Sequence, residues 1–267
     1  MVPSANRPGS LLLHELTRTE IGEWAPQATV ILPVAATEQH GPHLPVMVDT
    51  LIAETIASTA AELAGASVPM LVAPTVAYGA SHHHLIYPGA MSLSTATLID
   101  VLRDLTDSLV SSGFRRIFLL NSHGGNEECI RLAARELALR APVNAGASSY
   151  WTVAWERIVQ EGRAAELGIV PGHAGGFETS LMLAMRPDLV RTDLLPLPRS
   201  GHRAVPADPK DPSAGPLIQR HGSWAAIDGY SDDAGAASAE RGRLLLDLIS
   251  RSVADELVKF HQLALID

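Results

Sequence analysis

The sequence predicts an α/β fold, a parallel sheet with helices on both faces. Two near-continuous apolar runs, ATVILPVAA (28–36) and RRIFLLNSH (115–123), carry that reading, because strands covered on both faces lose the apolar–polar alternation. Segments with helical spacing fill the intervals between strand candidates, and such alternation implies parallel pairing. Each strong strand is also followed at once by a cluster of donor atoms. In an open parallel sheet, ligands bind beyond the carboxyl ends of the strands.

The remaining elements follow in order. SVPMLVAPTV (67–76) and VNAGASSYW (143–151) are weaker strand candidates. DTLIAETIASTAAEL (49–63) reads as a helix with Asp49 as its N-cap. STATLIDVLRDLTDSLVSSG (94–113) opens on a serine and closes on a C-cap glycine. NEECIRLAARELALR (126–140) follows the second strong strand, with Asn126 as its cap. SAERGRLLLDLISRSVADELVKF (238–260) forms a long terminal helix. Residues 196–216 hold six prolines and no periodicity, which reads as a long loop. With no repeat and no compositional break, residues 1–267 are read as one domain.

Composition narrows the function classes. The chain is 46% hydrophobic and 18% charged, with a formal charge of −9, so neither nucleic acid nor an anionic membrane is an expected partner. The only cysteine, Cys129, precludes an intramolecular disulfide and reads as a packed helical thiol. The N-terminus lacks the features of a signal peptide, and no stretch reaches the roughly 18 apolar residues of a membrane span. A cytoplasmic protein is the expectation. Motifs for a nucleophile elbow, a P-loop and a dinucleotide fold are absent.

Four clusters hold the chemistry. TEQHGPHLP (37–45) is followed by Asp49; Glu38 and His40 share a face in extended chain, and Gly41-Pro42 turns the chain back. NSHGGN (121–126) offers His123 and two glycines whose backbone can approach a ligand. GHAGGFETSLML (172–183) offers His173 and Glu178. In SHHHLIYPG (81–89), adjacent side chains diverge, so at most one of the three histidines is expected to face the site. Mixed carboxylate and imidazole donors suit Zn, Mn or Fe better than Mg or Ca. Each cluster also has a plain structural reading as helix caps, solvated loop histidines or a strand-to-helix turn.

In this order, E-Q-H-G-P-H-L-P with a following Asp, then N-x-H-G-G-N, then H-x-G-x-x-E-T-S, the chain resembles the creatininase (creatinine amidohydrolase) family, from LHELT near residue 13 to the terminal helix. The resemblance implies a three-layer α/β/α sandwich, two divalent metal ions per chain and a homo-oligomer, commonly a hexamer. It assigns Glu38, His40, Asp49 and His123 as ligands, with Asp49 bridging both ions. A family glutamate falls at Gly125 here, and Glu178 is expected to complete the site. His173 matches a general acid/base. His84 and the Tyr150-Trp151 pair match residues of the substrate pocket. Ile169 and Gly124 stand where the family has aromatic rings, so creatinine is not the expected substrate.

The implied reaction is hydrolysis of a carbon–nitrogen bond, in an amide, cyclic amide or formamide, by a metal-activated water. Gly124 and Gly125 would stabilise the oxyanion, and His173 would carry the proton. The small-molecule substrate stays open: the same site suits a lactone or carbohydrate ring, or a peptide end. A binding protein without turnover is the reading from another class, and His173 argues against it.

Overall fold

A computed structural model describes residues 9–195 and 221–266. The whole proline-rich stretch 196–216 lies outside the described residues. Four parallel strands, β1 (Thr29–Val34), β2 (Met70–Val72), β3 (Arg116–Asn121) and β4 (Asn144–Ser149), form one sheet in the order β2-β1-β3-β4. Pro33 sits in central strand β1 because its missing donor would face the β2 side. Strand β2 has ended at Val72 by that point, and only the Pro33 carbonyl is used there, by Val76 N–H at 2.9 Å.

Alternate strand residues serve opposite cores. Ile31, Val72, Phe118 and Leu120 pack under α2 (Val48–Ala64), α5 (Tyr150–Gln160), α6 (Gly176–Met185) and α8 (Ala239–His261). Val30, Leu32, Leu71, Ile117 and Leu119 pack under α3 (Thr95–Ser111) and α4 (Glu127–Arg140), with α1 (Arg18–Trp24) at the margin. The expected α/β/α sandwich is therefore present. All four strand candidates and all four helices named from sequence exist. Ser94 and Ser238 cap α3 and α8 by accepting from Thr97 N–H and Arg241 N–H, both at 3.2 Å.

Three local expectations are corrected. Asp49 is not a cap: α2 begins at Val48 after Met47, and the Asp49 carboxylate turns inward to histidine instead. Asn126 holds the cap position of α4 but makes no capping bond. Its amide donates to Ala35 C=O at 2.9 Å, and its oxygen accepts from Ala80 N–H at 2.8 Å, tying three loops together. Tyr150 and Trp151 end no strand; they open α5, a helix whose start the apolar pattern did not mark.

The strand order creates the site. The chain leaves β1 for α2 on one face and leaves β3 for α4 on the other, so a crevice opens beyond their carboxyl ends. The helical layer on the α2 side closes most tightly at Gly242, where α8 crosses α6. A Cβ there would run into the Ser180 carbonyl and lie 2.9 Å from the Ala184 methyl. Gly242→Ala is expected to destabilise by about 1–3 kcal/mol or more, lowering Tm by roughly 2–4 °C per kcal/mol, as scanning calorimetry would read.

Candidate active site

The first donor cluster is built by a doubled-back loop. His40 bridges to Leu44 in antiparallel fashion, Gly41 turns at φ +65°, and Glu38 N–H returns to Val46 C=O at 3.2 Å. That reversal sets the first turn of α2 beside Glu38 and His40. The second cluster is pinned by Asn121: its oxygen accepts from His123 N–H at 3.1 Å, and its amide donates to His123 C=O at 2.7 Å and Ser149 Oγ at 2.9 Å. Ser122 Oγ donates to Asp49 C=O at 2.9 Å and ties the two clusters.

The third cluster is held from behind by Asp232. His173 N–H donates to Ser231 Oγ at 2.8 Å, Ser231 N–H returns to His173 C=O at 2.9 Å, and Ser231 Oγ–H donates to Asp232. Asp232 also accepts from Ile169 N–H at 3.0 Å. Glycines 168 and 175 leave the room that Asp232 fills. Ala174 adopts the left-handed φ of +54° that turns the chain into α6, and its N–H donates to Glu178 Oε2 at 2.6 Å.

These loops bring all five sequence-predicted ligand candidates together, each buried. Asp49 lies between two donor sets: Oδ1 is 3.4 Å from His40 Nε2, and Oδ2 is 3.3 Å from His123 Nδ1. Glu38 Oε1 joins the His123 side at 3.2 Å, and Glu178 Oε2 joins the His40 side at 3.7 Å. Both Glu38 oxygens, His40 Nε2 and Asp49 Oδ2 are buried without a hydrogen-bond partner. Converging orphan acceptors of this kind fit a bound cation. Ligand-competent atoms of Glu38, His40 and Asp49, and of His40, His173 and Glu178, fall within 4.8 Å of one another.

Electrostatics follow from burial and the neighbours. Burial would lower His40, but the Glu178 and Asp49 carboxylates outweigh it and raise it to about 9. Burial lifts Glu178 to about 8 against the pull of His40. Burial would raise Glu38, yet His123, His173 and His84 hold it well below the carboxylate range. Burial opposes a charge on His123, and Glu38 and Asp49 overcome it, holding the imidazole well above its ordinary range. Burial, reinforced by His40, keeps His173 well below the imidazole range, and burial takes His84 down to about 3.

A cavity of about 720 Å³ opens onto the cluster, lined among others by Glu38, His84, His123, Gly124, Gly125 and His173. The histidine run is corrected here. His82–His84 form a 3-10 turn, and both His83 and His84 reach the cluster, each sharing a donor group with Glu38. His83 stacks on His123 with centroids 5.6 Å apart and planes 4° from parallel. Gly125 makes that possible, because a Cβ there would lie 2.6 Å from His123 Nε2 and 3.1 Å from the His83 ring.

Tyr150 and Trp151 lie away from the cavity wall. Both are buried in the core, packed edge to face at 5.0 Å. Tyr150 Oη is buried without a hydrogen-bond partner. Burial, with Glu178 and Asp49 nearby, keeps its proton on. The aromatic wall is instead Trp224, in α7 (Ser223–Ala226), at 4.5 Å from His84, 5.1 Å from His173 and 5.5 Å from His83. Sequence reading missed the roles of Trp224, Gln39 and Asp232: Gln39 stands inside the first donor motif without being a donor to a metal, and Trp224 and Asp232 carry no periodic or spacing signal.

The creatinine amidohydrolase family model, Creatininase, matches residues 14–257. The chain belongs to the creatininase family. It is accordingly a metal-dependent hydrolase. Creatinine amidohydrolase of Pseudomonas putida is 33% identical over 93% of this chain and 96% of its own length. A mycofactocin precursor peptide peptidase of Mycolicibacterium smegmatis is 42% identical over 62% of this chain and 61% of its own length. A solved manganese form of creatininase, 31% identical, covers 95% of this chain and 100% of its own, with a TM-score of 0.74. Among the described residues, no helix is long and apolar enough to cross a membrane.

The charge pattern predicts a stability optimum for the metal-free chain. His40 at about 9 and Glu178 at about 8 are raised above their unfolded values, so their contributions are present at low pH and lost as pH rises through 8–9. His43 at about 4, His84 at about 3 and His173 are depressed by burial, so stability falls as pH drops below 6.5 toward those values. Below 6.5 the three histidines outweigh Glu178. With chelator present, Tm is expected to peak near pH 6.5 and fall on both sides in a calorimetric series from pH 4 to 10.

Proposed function

We propose that this chain, working as one domain in a homo-oligomer, hydrolyses a carbon–nitrogen amide bond with two divalent ions, Zn, Mn or Fe. Glu38, Asp49 and His123 would hold one ion, and His40, Asp49 and Glu178 the other. The observation that carries this reading is Asp49, whose two oxygens face two separate imidazoles across a buried set of unpartnered acceptors. Bound ions of this kind supply Lewis acidity, polarising a carbonyl and acidifying water. His173, kept neutral by burial and by His40, is ready to accept a proton beside Glu38, 3.5 Å away, and to pass it to the leaving nitrogen. Gly124, with open space where a Cβ would stand, lets substrate approach the backbone beside His123. His84 and Trp224 also line the cavity.

A peptide-type amide is the favoured substrate. A cavity of about 720 Å³ is far larger than a single small heterocycle needs, and ligand pockets of roughly 300–1,000 Å³ bury drug-sized molecules. The relative at 42% identity is named as a peptidase, which supports the same choice. Creatinine is disfavoured: Ile169 and Gly124 offer no aromatic face and Trp151 is packed in the core, so Trp224 is left to stack on a flat ring from one side, without a second tryptophan opposite. A stacked ring contributes about 0.5–1.5 kcal/mol beyond burial, enough to weaken a flat ligand that lacks it. The deciding experiment is a metal-loaded screen over short peptides, cyclic amides, N-formyl compounds, lactones and creatinine, with products read by mass spectrometry. Amine release from a peptide or amide is the expected result. Turnover of lactones alone, or efficient turnover of creatinine, would overturn the reading.

Metal content separates the proposed roles. Asp49→Ala should retain far less metal than wild type after dialysis against a chelator, since one side chain serves both ions. His173→Ala should keep wild-type metal content while kcat falls about 10²–10⁴-fold. Joint loss of metal and activity in His173→Ala would make that residue a ligand instead.

A further inference from the structure

We propose that Gln39 is the positioning residue that fixes the tautomers of both cavity histidines, its side-chain amide setting His84 as a proton donor toward Glu38 and its backbone carbonyl setting His173 as a proton acceptor, so that side-chain variants release His84 alone. The inference rests on the reading of His173 as the proton-transfer group and concerns a residue that is neither ligand nor acid–base group in that reading.

Gln39 has two backbone partners whose roles cannot change. Gln39 Oε1 accepts from Gly41 N–H at 2.8 Å, and Gln39 Nε2 donates to Gly229 C=O at 2.7 Å. A backbone N–H only donates and a carbonyl only accepts, so the amide is held one way round. One N–H remains, and two imidazole nitrogens compete for it: His84 Nδ1 at 2.8 Å and His173 Nε2 at 3.0 Å. His173 Nε2 also lies 2.8 Å from the Gln39 carbonyl, which can only accept. His173 Nε2 therefore carries its proton, and the remaining Gln39 N–H goes to His84 Nδ1.

The far nitrogens follow. His84 bears its proton on Nε2, 3.6 Å from Glu38 Oε1, and acts as a donor toward that carboxylate. His173 presents a bare Nδ1, 3.5 Å from the same oxygen. The two rings stack with centroids 4.2 Å apart. One buried residue, 8% exposed, gives them opposite functions, through its side-chain amide at His84 and its backbone carbonyl at His173. Without it, His84 could carry its proton on either nitrogen, and the carboxylate beside His173 would lose its fixed donor. The dependence of histidine chemistry on the partner of the far nitrogen is general.

A neutron crystal structure of the zinc-loaded protein tests the assignment directly. The expected map shows a deuteron on Nε2 of both His84 and His173 and none on either Nδ1; a deuteron on either Nδ1 overturns the proposal. Gln39→Met, close in length without the amide, should keep zinc content and KM while kcat falls about tenfold or more. Gln39→Glu keeps an acceptor for Gly41 N–H and serves if the methionine variant does not fold; it should show the same kcat loss. Either variant folded with wild-type kcat, or losing zinc in parallel with activity, sinks the proposal. If wild type turns over no amide, the functional reading fails, while the deuteron positions still decide the role of Gln39.

Discussion

Three carboxylates and four imidazoles share one buried volume at the edge of this sheet, and among the described residues the ion pairs of Glu38, Asp49 and Glu178 are all with histidine. Burying acceptors without donors costs several kcal/mol per ion. A cation is the component that turns this cost into a gain, and the protein is arranged to keep the acceptors facing one another until one arrives. Much of the loop architecture serves that purpose. Asp49 sits at the centre because a carboxylate in the first turn of a helix can address donors on two sides, and α2 begins where the returning loop after β1 meets the β3 edge.

Amide and carboxylate side chains, more than apolar contacts, hold the site loops in place. Asn121 pins His123, Asn126 joins the ends of three loops, Gln39 ties the first loop to Gly229, and Asp232 anchors the segment that carries His173. Loops at a sheet edge have few apolar partners, so their rigidity depends on fully satisfied polar groups. Glycine appears where those groups need room: beside Asp232 at 168 and 175, and at 125, where the absence of a side chain lets His83 lie against His123. Gly125 thus has a local steric counterpart in His83.

Much of the fold was legible in one dimension. The runs 28–36 and 115–123 are apolar without alternation because each strand is buried on both faces, and that property is printed residue by residue. Serine caps at Ser94 and Ser238 were equally readable, since capping is a local bond across three residues. The start of α5 was hidden, because β4 runs into Tyr150 with no breaker between them. Ligand candidates could be named from the four clusters, as donor-rich residues at the ends of apolar strands stand out against any structural role.

What the sequence alone determined is the inventory: a parallel α/β sheet, two strands ending in donors, and the residue types able to meet a metal. What only the tertiary structure decided is which neighbours each side chain meets. Trp151 and Trp224 are indistinguishable as letters, yet the first turns into the core with helix α5 while the second stands over three histidines. His82, His83 and His84 differ only by one position, and a 3-10 turn sends two of them to the carboxylates. Gln39 touches residues 45, 134 and 190 positions away in the chain. Strand burial and helix caps depend on residues within a turn of each other, so sequence encodes them directly; contacts across such separations exist only once the sheet order has been set and the loops beyond it have closed.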